Sequence, residues 1–141
     1  MNKKYEVGAL ILRFFTGLTF LLHGIYKLQG GFDNTVEFFN SFGIPGFLAY
    51  VVVFIELVGG ALMILGVGTR IVGFLFAVVV VGAIFTVKLS AGFIGTDGSM
   101  GYEFDLALLA IAIHLMLNGS QLLSLDSLFR QKRKAKTVSE S

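Results

Sequence analysis

Residues 7–28, VGALILRFFTGLTFLLHGIYKL, carry the decisive signal of this chain. A helix that crosses a bilayer needs about 20 mostly apolar residues, and this run supplies them while containing Arg13, His23 and Lys27. An ionised side chain near the bilayer centre costs roughly 2.5–3.5 kcal/mol on insertion scales, so such groups turn toward other helices, pair, and mark a site or pathway. Arg13, Thr16, Phe20, His23 and Lys27 recur at alternating steps of three and four and share one helical face. Snorkelling toward the interface accounts for Lys27 as readily as a site does. Arg13 lies about two turns inside and calls for an internal partner.

The rest of the chain is of the same kind. With 55% hydrophobic and 14% charged residues and a mean hydropathy of +0.84, it is too apolar for a soluble domain of this length and reads as an integral membrane protein. A second predicted span runs from about Phe47 to Leu65, bounded by Gly43-Ile44-Pro45-Gly46 and Gly66-Val67-Gly68, with Glu56 at its middle. The third, about Ile71 to Leu89, holds no ionisable group until Lys88 and reads as the most lipid-facing or purely packing helix. The fourth, about Tyr102 to Leu123, has Glu103 and Asp105 in its first turn, where the helix dipole favours carboxylates, and His114 in its interior. The expected fold is all-α, an integral membrane four-helix bundle over residues 1–126 followed by a basic cytoplasmic tail over 127–141. The 29–46 segment is too polar to span. Asn34 and Glu37 have capping-box spacing, and Phe38, Phe39 and Phe42 give a short interfacial helix its apolar side. Gly95-Thr96-Asp97-Gly98 reads as a turn.

Lys and Arg near helix ends stay on the cytoplasmic side. Lys3, Lys4, Arg70 and the run Arg130, Lys132, Arg133, Lys134 and Lys136 share one side of a four-span topology, which puts both termini in the cytoplasm of a plasma-membrane protein. The opposite loops hold Asp33, Glu37 and Asp97. Arg13 and the lack of a small-x-small cleavage pattern argue that the first helix is retained. The tail reads as topogenic and attracted to anionic lipid; nucleic-acid binding has no base-reading module behind it.

Counted at ~1.5 Å per residue from the cytoplasmic ends, Arg13 lies about 9 Å deep and Glu56 and His114 about 13 Å deep. These three form one expected layer, with Glu56 as counter-ion to Arg13. His23, Lys27, Glu103 and Asp105 form a second, outer layer. Glu103, Ala107, Ala110 and His114 share a face that would carry a polar column down the fourth helix. Without cysteine the chain has no disulfide, thiolate metal site, Cys-ligated iron–sulfur cluster or Cys-x-x-Cys couple, so redox work needs a bound cofactor or a partner. Haem held by both histidines is disfavoured by their roughly 10 Å difference in depth, and the Glu-x-x-His spacing of bundle metal sites is absent. Nucleotide and Ser-nucleophile motifs are absent as well. The 15 Phe residues serve packing and lipid contact, and they would also wall a flat aromatic ligand. Gly59-Gly60 and the Gly73/Ala77 pair read as close helix contacts, and glycine-bearing faces allow a homo-oligomer.

The ordered set Arg13, Gly17, Phe20, His23-Gly24, Lys27-Leu28, then Phe42-Gly43-Ile44-Pro45, Glu56-Leu57-Val58-Gly59-Gly60, Leu65-Gly66, Thr69-Arg70, Gly101-Tyr102-Glu103 and Gly119 through Asp126 resembles the DoxX family of small four-helix membrane proteins. The resemblance covers nearly all of residues 7–126, although Asn118 to Asp126 is looser than the family's Gly-Pro-rich version. That family is named for its likeness to a small subunit of an archaeal terminal quinol oxidase and thiosulfate:quinone oxidoreductase. Its members are labelled oxidoreductases on that basis, and some bacterial relatives look like parts of responses to catechols, quinones or oxidative stress beside a soluble redox enzyme. By that resemblance Arg13, His23, Lys27, Glu56 and Glu103 fall on the family's motif positions, without their individual roles carrying over. The leading reading is a redox accessory protein that binds a quinone-like or other small aromatic compound and receives electrons from a partner, with Arg13 and Glu56 fixing the site electrostatically and His23, Glu103 and His114 exchanging protons or bonding ligand oxygens. The cofactor is left open, with a quinone as the candidate, as is whether the chain is itself catalytic. A solute or proton transporter and a non-catalytic anchor subunit are the alternative readings.

Overall fold

The computed structural model describes residues 2–96 and 98–141, without the Ser99 side chain. Asp97, in the expected 95–98 turn, lies outside the described residues. The chain is almost wholly helical: α1 Lys3–Gln29, α2 Phe32–Ser41, α3 Phe47–Leu65 and α4 Thr69–Ala91, α5 Glu103–Asn118 and α6 Leu125–Glu140. Gly95–Thr96 and Ser99–Met100 pair as a minimal antiparallel ladder between α4 and α5.

Helices α1, α3 and α4 are long and apolar enough to cross a membrane. Helix α5, expected to reach Leu123, stops at Asn118 and has 16 residues, about 24 Å at the usual rise. Its end is set by Gly119, whose positive φ of 66° suits glycine and breaks the helix. Helix α1 begins four residues before its apolar run because the Asn2 side chain accepts the Lys4 N–H, a cap ahead of the helix-favouring residues Lys3, Lys4 and Glu6.

The expected capping box on α2 does not form. Gly31 holds the cap position, and the Asn34 side chain instead donates back to the Gly30 carbonyl. The helix is held by packing on the first half of α3, where Phe32 stacks on Tyr50 with ring centroids 4.8 Å apart. The basic tail is a helix, and Ser124 caps it by accepting the Ser127 N–H.

Many large apolar side chains lie on the outside, including Phe54, Ile71, Phe74 and Phe85, as lipid contact requires. Between apolar helices in lipid there is little hydrophobic drive, so association relies on close contact at small residues. A Cβ at Gly60 would lie 2.7 Å from Leu21 N and 2.8 Å from Gly17 O, and one at Gly73 would lie 2.9 Å from Met116 N. The glycine contacts expected from the sequence are thus where α1 meets α3 and α4 meets α5. These are the two most extensive contacts, completed by contacts of α1 with α5 and of α4 with the Ile55–Leu65 half of α3. Phe20, Met63, Val72, Phe76, Val80, Ile84, Leu108, Ala112 and Leu115 form the core. Helix α4, read from sequence as lipid-facing or purely packing, contributes four of these and also lines the site below.

Candidate functional site

The glycine contacts set the register that places the polar groups. Gly24 abuts Leu57, Gly17 abuts Ile64, and a Cβ at Gly66 would lie 2.8 Å from Arg13 Nη1. Arg13 is therefore level with the end of α3, ten residues and roughly 15 Å along the axis from Glu56. The expected Arg13–Glu56 pair does not exist. Counting depth from predicted helix ends ignored the stagger between α1 and α3, and that stagger moves the two charges apart.

Arg13 is only 2% exposed. Its Nη1 donates to the Ser120 carbonyl at 3.3 Å, to Ser120 Oγ at 3.4 Å and to the Leu122 carbonyl at 3.1 Å; Nη2 donates to the Leu123 carbonyl at 3.0 Å. The segment after Gly119 has left the helix and its carbonyls need donors. A guanidinium, with five N–H groups in a fixed fork, supplies several at once. Nearby, Asp126 accepts the Gly68 N–H at 2.7 Å, tying the start of α6 to the α3–α4 turn.

At the Lys27 end a cavity of about 510 Å³ opens, within the ~300–1,000 Å³ typical of small-molecule sites. Thr19, Phe20, His23 and Lys27 of α1 line it, with Phe38 and Phe39 of α2 over one end and Asp105 and Leu108 of α5 behind. Residues of α3 from Leu48 to Glu56 and of α4 from Val78 to Lys88 form its sides. Two ion pairs face it: Lys27 Nζ to Glu56 Oε1 at 2.7 Å and Lys88 Nζ to Asp105 Oδ2 at 2.8 Å. Glu56 and Asp105 are 4% and 8% exposed, whereas both lysines are partly open. Each pair neutralises a carboxylate that would otherwise be costly to bury. Glu56 Oε2 is buried with no hydrogen-bond partner, so the carboxylate keeps unused acceptor capacity.

Two π-helical turns flank this cavity. One, Ile55–Gly59, contains Glu56, and the other, Ile84–Lys88, ends on Lys88. A π-turn widens the helix and rotates the side chains beyond it, and such turns recur at functional sites. Below the polar groups, Phe20 stacks on the fully buried Phe76 with centroids 3.8 Å apart and planes 7° apart. This aromatic pair stands between the cavity and the Arg13 cluster, interrupting the polar stripe of α1.

The structure therefore brings together His23, Lys27, Glu56 and Asp105, and leaves Arg13, Glu103 and His114 apart. The inward face of α5 carries Asp105, Leu108, Ala112 and Leu115, again at steps of three and four. Glu103, Ala107, Ala110 and His114 lie on its exposed face, so the expected column down that face is not present. His114 bonds locally with the Asn118 side chain. Lys88 was missed as a site residue. An acidic first turn on the following helix is the signal that could have found it, since a lysine ending one apolar helix can reach a carboxylate opening the next. Among the described residues, no group of three or more His, Asp or Glu side chains gathers as a metal site.

Comparison with known proteins places this geometry in a family. The chain is 49% identical over 139 residues to "Putative oxidoreductase CatD" of Bacillus subtilis (strain 168), covering 99% of each chain. It is 33% identical over 129 residues to an uncharacterized membrane protein of Mycobacterium tuberculosis, covering 84% of this chain and 79% of the other. A shorter match, 31% over 70 residues, joins it to the inner membrane protein YqjF of Escherichia coli (strain K12), covering 50% of this chain and 53% of that one. No solved structure matches. The DoxX family model matches residues 8–89, a stretch holding His23, Lys27, Glu56 and Lys88, and with the membrane-protein relatives it shows that the chain is a membrane protein belonging to the DoxX family.

Proposed function

We propose that this protein is a plasma-membrane redox accessory protein that binds a quinone-like aromatic compound in the cavity between its helices and works with a soluble oxidoreductase that supplies electrons. One observation carries the reading: apolar and aromatic walls meet two lysine–carboxylate pairs and a histidine in a single cavity. A quinone ring fits apolar walls, and its carbonyl oxygens accept hydrogen bonds from ammonium or imidazole groups. Its reduction to the hydroquinone takes up two electrons and two protons. His23 is suited to donate or accept a proton at the ring oxygens, Lys27 and Lys88 to hold those oxygens, and Glu56 and Asp105 to anchor the lysines. A response to quinones or oxidative stress is the setting this chemistry suits. In the membrane, α1, α3, α4 and the shorter α5 form four spans with both termini cytoplasmic, and the glycine-bearing outer faces allow self-association.

The Phe20–Phe76 stack weighs against a transport pathway, because it closes the cavity toward the Arg13 end. Purification in mild detergent, solvent extraction and absorption spectroscopy test the redox reading. The expected result is a quinone-type absorption that redox titration shifts, with quinone-dependent electron transfer on adding a reductase. Reproducible absence of quinone, flavin and haem, together with no quinone-dependent activity, refutes it.

A further inference from the structure

Helices α3 and α4 both line the cavity. Helix α4 packs on α5 chiefly through Thr69–Ala83 and meets α3 through the Ile55–Leu65 half; among the described residues it makes no substantial contact with Phe47–Phe54. Above the π-turn at Ile55–Gly59 the two helices therefore splay. Both sides of the resulting cleft line the cavity, through Val51, Val52 and Ile55 on α3 and Val78, Gly82 and Thr86 on α4. Val51 and Val78 are also 45% and 55% exposed. Gly82 has open space where a side chain would stand, with nothing within 4 Å of an added Cβ. The Thr86 hydroxyl donates to Gly82 O of its own helix, so its donor is satisfied within α4. Both helices are apolar enough to span, so a cleft between them would face lipid.

We propose that the ligand is a membrane-dissolved amphiphile, an aromatic head group bearing a long hydrocarbon tail, that enters laterally between α3 and α4. The head lodges against Lys27, Glu56, Lys88 and Asp105. The tail leaves past Val51, Val78 and Gly82 into lipid. The walls support this division: charged groups gather at one end, and the portal is apolar along both helices. The inference rests on the redox reading for the head group's identity, while the route and the tail rest on the cleft itself.

The test uses the full chain in lipid nanodiscs and three probes: a benzoquinone without a tail, the same ring with a long isoprenoid tail, and a photoreactive fatty acid. The tailed ring should bind roughly tenfold or more tighter than the tailless one once its partition into lipid is subtracted, because each methylene buried against the portal adds affinity. Gly82→Trp should weaken the tailed ring about tenfold by filling the portal and leave the tailless ring within about threefold. Val78→Trp serves as the second variant. In the wild type, the photoreactive chain should label the half-buried, cavity-lining Val52 and Ile55 as well as the exposed Val51 and Val78, a readout that needs no substitution. Equal affinity for the two rings, or tailed binding that both tryptophan variants leave unchanged, overturns the portal while the redox reading stands. Labelling of the cleft by the fatty acid, with neither ring bound, leaves the portal standing and removes the quinone reading. Absence of both labelling and ring binding overturns both.

Discussion

Replacing Arg13 with methionine should destabilise the protein without altering the cavity. Methionine matches the length of the arginine stem but offers no donor, so four hydrogen bonds disappear, at 3.0–3.4 Å, to Ser120 O, Ser120 Oγ, Leu122 O and Leu123 O. The Ser120 groups are buried and would lose their donor without replacement by water, at about 1–3 kcal/mol for each unsatisfied group. The Leu122 and Leu123 carbonyls sit in part-buried contacts, and water can replace much of what they lose. Release of a buried guanidinium from its desolvation penalty offsets part of the cost. The net is about 2–4 kcal/mol. At roughly 2–4 °C per kcal/mol for a chain of this size, the midpoint of thermal unfolding in detergent, followed by helical circular dichroism, should fall about 4–16 °C. Arg13→Lys should fall between wild type and Arg13→Met, because a single ammonium cannot span all four acceptors. Ligand affinity in the folded fraction should stay at the wild-type value. A midpoint unchanged within about 2 °C, or a loss of ligand binding with stability intact, refutes the assignment of Arg13 as the clasp of the 119–124 segment.

Three further outcomes follow from the same geometry. Lys27→Met strands the buried Glu56 carboxylate and should cost about 2–3 kcal/mol, less than a fully buried pair because Lys27 is partly open. Adding Glu56→Gln should recover part of that loss, so strictly additive costs in a double-mutant cycle of thermal unfolding would count against the pair. Gly60→Val pushes a side chain into the backbone of Gly17 and Leu21 and should cost about 3 kcal/mol, seen as poor recovery of folded protein by size-exclusion chromatography. His114→Ala removes an exposed side chain and should change stability by less than about 0.5 kcal/mol with no effect on ligand-linked spectra; a lost spectral signal would return His114 to the site.

The helices were legible where their boundaries are chemical. Helix α3 spans Phe47–Leu65 as the flanking Gly-Pro and Gly-Val-Gly signals predict, and Ser124 caps α6. Stepwise spacing on α1 also put His23 and Lys27 on one face, and both line the cavity, since residues three and four apart share a face whatever surrounds them. The same spacing misled on α5, where two stripes fit the period equally well, one through Asp105 and one through Glu103 and His114. Periodicity defines a stripe without saying which stripe meets a neighbour. The choice fell to Gly73, whose missing side chain lets α4 close on Ala112 and Met116 and so turns the Asp105 side inward.

Composition and apolar length alone determined that this is a helical membrane protein whose internal charges need partners, because lipid leaves neither backbone polar groups nor isolated ions any other arrangement. Which charges meet was a tertiary decision. Close contact at Gly17, Gly24 and Gly60 fixed the stagger of α1 on α3, and π-turns around Glu56 and before Lys88 reset the side-chain directions beyond them. A residue count measures distance along one helix, whereas an ion pair depends on the offset between two; packing sets that offset, and it moved Glu56 from Arg13 to Lys27.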